Sequence, residues 1–439
     1  MTPQTSEAPE ITSLADDLSD AWGVLTPEDR VEGFRLLDQA EAEEFFFGLS
    51  ARDQAELILA LPATERRRWL RLLDPDDAAD VIQESDEEHR ESLLALLDDG
   101  TRREVRALLA YAEDEAGGLM SPRFVRLRPD MSVDEAITYL RRQARERVET
   151  IYYVYVLDEH QHLLGVMSLK QLFTAPPNAK VRDVMETDLV TAHEEMDQEA
   201  LGLLFARHDL LAIPVVTAEG VLKGIVTVDD IVDVVQEEAT EDIHKLGGTQ
   251  ALDAPYLDVD FWTMVRKRVG WLTLLFVGQT LTITAMGHFQ DALARAVFLS
   301  LFIPLIISSG GNSGSQASTL VVRAMALGEL RLRDWWRVFS RELRSGLSLG
   351  VVLGTISFAV MLVHFQWGGD AGAHFGRMAL AVALSLVGVV TWGTLAGSML
   401  PFVLRRLGLD PAAASAPMVA TISDVAGIMI YFTIASLVL

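Results

Sequence analysis

Residues 416–439 read APMVATISDVAGIMIYFTIASLVL, a run apolar enough to cross a membrane that carries one carboxylate, Asp424, near its middle. A charge at the bilayer centre costs about 2.5–3.5 kcal/mol on insertion scales. Asp424 is therefore expected to face a water-filled path or a partner, and no basic residue in its own run can pair with it. A carboxylate with water and nearby carbonyls is a hard-oxygen site, suited to magnesium or calcium rather than soft metals. The alternative is a protonated aspartic acid bonded to a neighbouring helix.

A second polar interruption lies in FIPLIISSGGNSGSQASTLVVRAMALGEL, residues 302–330. Glycine pairs loosen a helix, and irregular backbone at membrane depth must line a cavity or be buried in protein. On that reading the carbonyls around Gly311, with Asn312 and Gln316, offer oxygens to a hydrated cation at a pore mouth. A helix end with a glycine cap and a polar turn remains the other reading.

A third group is the acidic run DDIVDVVQEEATED, residues 229–242. Helical spacing places Asp230, Asp233, Glu237 and Glu241 on one stripe, with Glu238 and Asp242 beside it. Like charges so arranged repel, and divalent cations would relieve the repulsion.

The elements that position these groups follow from composition. The chain has 439 residues, half of them hydrophobic, and a formal net charge of −26. From Thr263 onward there are seven acidic and thirteen basic residues, and the preceding part holds the other 56 acidic and 24 basic ones. An acidic polar module, net −32, is thus fused to an apolar, weakly basic one. Such a surface disfavours nucleic acid, whose phosphates require basic partners, and suits cations. There are no cysteines, so disulfides and thiolate metal sites are excluded. The first twenty residues lack a basic n-region and an apolar h-region, so the acidic module is expected to stay in the cytosol. No GxxxxGK[ST] motif is present and the nine histidines show no metalloenzyme spacing, so no enzyme is expected.

Five apolar stretches have spanning length: Val269–Met286, Ala292–Ser309, Ser345–Gln366, Met378–Leu404 and Pro411–Leu439. Arg266, Lys267, Arg268, the arginines between Arg331 and Arg344, and Arg405–Arg406 fall on one side, against Arg295 and Arg377 on the other. The positive-inside rule then gives a multi-pass protein of the plasma (inner) membrane, N-terminus cytoplasmic and C-terminus extracytoplasmic. An odd span count without an inverted repeat favours a pore on the axis of a homodimer. Gly346, Gly350 and Gly354, then Gly393 and Gly397, allow close helix contact. That contact serves either a partner or packing inside one protomer.

In the acidic module, residues 51–74 align without gaps on 75–98, with eight of 24 positions identical, including Asp53/Asp77, Arg66/Arg90 and Leu73/Leu97. Tandem helical hairpins of this length read as a small α-solenoid. Two βαββα-like units follow, about 119–183 and 184–245. They look like a tandem pair of CBS domains, modules that often bind adenine nucleotides such as ATP. The second unit matches a ribose-contacting pattern through Gly224, Thr227 and Asp230; the first has Ser168 and Gln171 where the acid belongs. An ordinary N-cap at Thr227 or Asp229 explains the same residues.

PLIISSGGNSGSQASTLVVRAMALGEL, LPFVLRRLGLDPAAASAPMVATISDVAGIMIYF and QEEATEDIHKLGG together resemble the MgtE family of magnesium channels, and the likeness extends over the whole architecture. The resemblance implies a homodimeric, magnesium-selective channel gated closed by cytosolic magnesium. It implies that Asp424 from both protomers holds a hydrated Mg2+ on the axis, with the carbonyl of Ala420 one turn earlier, and that Asn312 is the family asparagine of GGN. Two departures are Ser308 before GGN and Ala416-Pro417 before the aspartate motif, where relatives often carry Gly and Asn-Pro. The expected fold is an all-α superhelical domain, an α/β CBS pair and an α-helical membrane domain of five spans. Its expected parts are a disordered tail (1–20), solenoid (21–118), CBS units (119–183, 184–245), a plug-like connecting helix (246–268) and a five-helix pore (269–439). Magnesium bridging carboxylates of solenoid, CBS pair and connector would hold the pore shut, and scarcity would release it. Two rivals stand beside this: a less selective Co2+/Mn2+ transporter, and a non-conducting membrane sensor of nucleotide or cation.

Overall fold

In the computed structural model residues 14–143, 148, 150–252, 254, 256–257, 259–289, 297–366 and 375–439 are described, and they fall into two units divided at Gln236/Glu237. The first unit opens with eight short helices: α1 (Leu14–Ala21), α2 (Pro27–Leu36), α3 (Gln39–Phe47), α4 (Ala51–Ala60), α5 (Ala63–Leu70), α6 (Pro75–Gln83), α7 (Glu87–Leu94) and α8 (Asp99–Leu108). The tail expected to lack structure through residue 20 is thus helical from Leu14, because Leu18 is buried in the core of the helices that follow. Side-chain caps define the starts: Thr26 accepts from Asp29 N, Asp38 and Glu41 form a capping box, and Ser50 accepts from Asp53 N.

The 24-residue repeat is visible in hydrogen bonds. Arg66 donates to the carbonyls of Leu61 and Leu59 at 2.7 and 2.6 Å, and Arg90 donates to those of Ser85 and Gln83 at 3.0 and 2.6 Å. Each guanidinium satisfies carbonyls left open where the preceding helix ends, so the repeated arginine is a C-terminal cap for its neighbour. Leu73 and Leu97 occupy equivalent buried positions.

Each βαββα unit carries a three-stranded sheet. The first holds β1 (Arg126–Leu127), α9 (Val133–Gln143), β2 (Tyr153–Leu157), β3 (Leu163–Ser168), α10 (Leu169–Thr174) and the short α11 (Val181–Val184). The second holds β4 (Ala192–His193), α12 (Gln198–His208), β5 (Ala212–Val216), β6 (Leu222–Thr227) and α13 (Val228–Leu246). In both sheets the first strand pairs parallel and the third antiparallel to the middle one, with a bulge at the same place. The units exchange backbone bonds as a pseudo-symmetric pair: Leu163 N donates to Gly220 O and Leu222 N to Gln161 O, both at 3.0 Å.

Helix α13 ends in a Schellman-like turn, with Gly248 at φ +74°, Gly248 N donating to Lys245 O and Thr249 N to His244 O. The connecting helix expected over 246–268 is therefore not a single helix. Glycines 247 and 248 stop α13, the described residues from Gly247 to Asp260 are not helical, and α14 (Phe261–His288) starts where Asp260 caps Trp262 N and Thr263 N.

The second unit continues with α15 (Ile303–Ala326), α16 (Trp335–Gln366), α17 (Phe375–Arg406) and α18 (Ala416–Val438). Among the described residues four helical stretches are long and apolar enough to cross a membrane: Phe261–His288, Leu332–Val363, Phe375–Arg406 and Ala416–Val438. The expected span Ala292–Ser309 lies partly outside the described residues, Arg295 included, and its remainder is a 3-10 turn (Val297–Phe302) running into α15. Helix α15 has 24 residues, about 36 Å at 1.5 Å per residue, but its serines and glycines dilute its hydrophobicity.

Candidate functional site

The GGNSGSQ segment lies in the middle of α15, and the helix runs through it without a break. Both expectations, an irregular pore-lining turn and a capped helix end, are corrected. In a helix the backbone bonds are satisfied internally, so glycine's missing Cβ is free to serve close packing. Positions Gly310 and Gly314 of α15 face Gly393 and Gly397 of α17 so closely that a Cβ on either α17 residue would overlap an α15 carbonyl oxygen. Gly346, Gly350 and Gly354 of α16 meet the backbone of α17 at Thr391, Val387 and Ala383, so these glycines pack within one chain.

Hydroxyls knit the same seam. Ser313 Oγ and Thr394 Oγ1 share a hydrogen bond of 2.6 Å, Ser318 donates to Ala414 O at 2.7 Å, and Ser315 donates to Ala416 O at 3.3 Å. The last two tie α15 to the segment that launches α18, whose first turn is capped by Ser415. On α18, Ala420 lies against Gly311: a Cβ built on the glycine would sit 3.4 Å from that of Ala420. Asp424 follows one turn later, half-buried. Asn312 is exposed and donates to Ser308 Oγ at 3.3 Å, and Gln316 is exposed as well.

Asp424 does not stand alone. Gln279 Nε2 of α14 donates to Asp424 Oδ2 at 3.1 Å. The sequence reading missed Gln279, because α14 was weighed only as a hydrophobic span. Among the described residues no three His, Cys, Asp or Glu side chains converge as a metal cage. One carboxylate, one amide and helix carbonyls suit a cation that keeps most of its water, which is how Mg2+ usually binds.

The acidic run on α13 divides. Asp230 accepts from Thr227 N at 3.3 Å and Thr227 Oγ1 at 2.7 Å, an arrangement matched in the first unit by Ser168 and Gln171. Gly224 is required by packing: a Cβ there would come within 2.8 Å of Ser121 O and 2.7 Å of Met120 Cγ. The residues read as ribose contacts, Gly224, Thr227 and Asp230, thus stand together at the β6–α13 turn with structural duties of their own.

Asp230 belongs to a wider acidic group with Asp77 and Asp80 of α6. Burial, then the charges of Asp77, Asp230, Glu113 and Glu84, push Asp80 up to about 8. Burial, then Asp74, raises Asp77. Burial is also the main cause at Asp230, pushed up to about 6 although the bond from Thr227 opposes it. The solenoid thus holds two carboxylates, Asp77 and Asp80, whose charge is disfavoured in the fold.

The far end of α13 forms a second group, within the second unit. Lys245 Nζ lies 2.6 Å from both Glu241 Oε1 and Asp410 Oδ2. Burial opposes the ammonium, but the hydrogen bonds it donates to Asp410 and Glu241 outweigh that and raise Lys245. Asp242 is pushed up to about 6, first by burial and then by Asp410. Asp410 Oδ1 in turn accepts from Ala412 N at 2.8 Å, and Leu246 packs on Val322, Leu404, Ala412 and Ala414. Neither Lys245 nor Asp410 was singled out from sequence. Asp233, Glu237 and Glu238 lie along the same helix between the two groups.

Comparison with known proteins follows these divisions. Residues 15–114 match the family described as MgtE intracellular N domain, 116–178 and 181–237 match the CBS domain, and 303–434 match the family described as Divalent cation transporter. The magnesium transporter MgtE of Thermus thermophilus is 42% identical over 96% of this chain and 92% of its own. That of Bacillus subtilis is 35% identical over 83% of this chain and 78% of its own. A crystal structure of the cytosolic domain of the Mg2+ channel MgtE in complex with ATP is 43% identical, with a TM-score of 0.47, and covers 51% of this chain and 91% of that one. With relatives this similar aligned over nearly its whole length, the chain belongs to the MgtE family.

Proposed function

We propose that the chain conducts Mg2+ into the cell as a homodimer in the plasma membrane, N-terminus inside, and is not an enzyme. The observation that carries this is Asp424: a carboxylate in an apolar helix, bonded among the described residues by a neutral amide and backed by a seam of glycines. Such a charge is tolerated at this depth where a cation shares the site. A second copy facing it across an axis would supply the second carboxylate, and Mg2+ with its water shell needs no more than one or two. Asn312, Gly311 and Ala420 are the proposed companions of Asp424 along the path. An inside-negative potential drives a divalent ion by about 4.6 kcal/mol per 100 mV, so no coupled chemistry is required.

Closure by cytosolic Mg2+ fits the two acidic groups that share α13. Hydrated Mg2+ drawn to the acidic surface of Asp77, Asp80 and Asp230, and to that of Glu241, Asp242 and Asp410, would replace repulsion with attraction without a closed cage, steadying α13 and, through Asp410, the start of α18. Loss of those ions would free α13, which is the differential binding a two-state gate requires. Asp233, Glu237 and Glu238 extend the same surface. An adenine nucleotide such as ATP is the proposed regulatory ligand of the β6–α13 turn at Gly224, Thr227 and Asp230.

Growth of a magnesium-uptake-deficient host at limiting Mg2+ tests the reading. The wild-type chain restores growth and Asp424→Asn does not; equal rescue by both would refute the pore. Uptake of Co2+ or Mn2+ as fast as Mg2+ at equal activity would instead favour a general divalent carrier.

A further inference from the structure

The amide of Gln279 is placed to decide which cation Asp424 accepts. Gln279 is near the middle of α14, which packs on α18. Its neighbour Gly278 keeps the two helices close, since a Cβ there would lie 3.0 Å from Thr421 Cγ2. Two nearby hydroxyls are committed to their own helices: Thr421 donates to Pro417 O at 2.9 Å and Thr280 to Val277 O at 2.6 Å. That leaves the 3.1 Å bond from Gln279 Nε2 to fix Asp424 Oδ2. A glutamine inside a span is costly unless its amide is bonded, so the pair forms readily.

We propose that Gln279 is a specificity-determining positioning residue, which holds one oxygen of Asp424 so that the cation meets the other oxygen alone. The inference rests on reading Asp424 as the ion site. A one-oxygen acceptor suits Mg2+, which is small, octahedral and reluctant to shed water. A free carboxylate could chelate with both oxygens, the mode common for Ca2+, whose coordination is larger and more flexible. Gln279 therefore selects against Ca2+ by occupying the second oxygen.

The test is Mg2+ influx into vesicles containing the full chain, with Ca2+ as competitor. Gln279→Met keeps the side-chain length but removes the donor, and the Ca2+ concentration that halves Mg2+ influx should fall about tenfold. That factor corresponds to ~1.4 kcal/mol, near the lower end for a hydrogen bond to a charged group. A variant that merely folds less well changes the amount of flux and leaves this ratio alone. Gln279→Leu, similar in volume and also without a donor, covers the case in which the methionine variant fails to fold, and it should show the same shift. Wild-type Ca2+ sensitivity in these variants, with Asp424→Asn inactive, overturns the role of Gln279 alone. Wild-type Mg2+ influx through Asp424→Asn overturns the pore reading beneath it.

Discussion

Gly397→Ala probes the seam between α15 and α17. A Cβ at this position would overlap the carbonyl oxygen of Gly314 and lie 2.7 Å from its carbon and 2.9 Å from its Cα. The obstacle is helix backbone, which has no rotamer to change. Restoring ordinary contact at about 3.5 Å requires the helices to part by roughly an ångström. Overpacking of this kind costs about 1–3 kcal/mol. The Ser313–Thr394 bond on the same seam stretches with it, adding ~0.6 kcal/mol for a typical interhelical bond in a membrane. Alanine recovers up to ~1 kcal/mol of helix propensity, leaving a net loss of about 1–3 kcal/mol. Because α15 also carries Gly311 against Ala420, Mg2+ uptake should fall along with stability. The assay is thermal unfolding of the detergent-solubilised protein together with uptake. Gly270→Ala in α14 is the control, since a Cβ there meets nothing within 4 Å. Wild-type melting and uptake in Gly397→Ala would refute the seam, and an equal loss in the control would trace the effect to alanine itself.

Two further outcomes concern the acidic groups. Asp80, pushed up to about 8 by burial and its carboxylate neighbours, holds in the folded chain a proton that an unfolded carboxyl loses near 3.8. The group is neutral in stability below pH about 4, and its cost grows as pH rises towards 8, to as much as ~4 kcal/mol at pH 7. Asp80→Asn should therefore raise the melting temperature in Mg2+-free buffer, flatten its decline between pH 6 and 8 and shrink the stabilisation gained on adding Mg2+; unchanged profiles would contradict the cluster. Lys245→Met removes the cation bridging Glu241 and Asp410, and should lower melting without Mg2+ while enlarging the Mg2+-induced gain. Equal Mg2+ gains in variant and wild type would show that Lys245 does not shield the group.

Much of the fold was legible because it is periodic. The spacing that pairs Arg66 with Arg90 survives as two sets of equivalent hydrogen bonds, and the order of elements in the CBS units reappears as two sheets of one topology. The GGNSGSQ segment was misread for a physical reason. Glycine pairs usually mark breaks in water, but inside a packed membrane helix they let a neighbouring backbone approach. The connector was misread because the family resemblance implied one helix there, whereas Gly247 and Gly248 close α13 first. Asp424 was legible from its cost in an apolar run. Its partner was not: Gln279 lies 145 residues earlier, and only tertiary packing brings the amide to the carboxylate. Asp80 and Asp410 were hidden similarly among 63 acidic residues, since burial and neighbours distinguish them, not spacing.

The most direct measurement of the central claim is Mg2+ influx into sealed vesicles carrying the purified full-length chain, driven by an inside-negative potential. A pore built on Asp424 predicts rapid influx through the wild type and a loss of nearly all of it in Asp424→Asn, with the variant folded and inserted to the same extent. Influx through Asp424→Asn at the wild-type rate would contradict it.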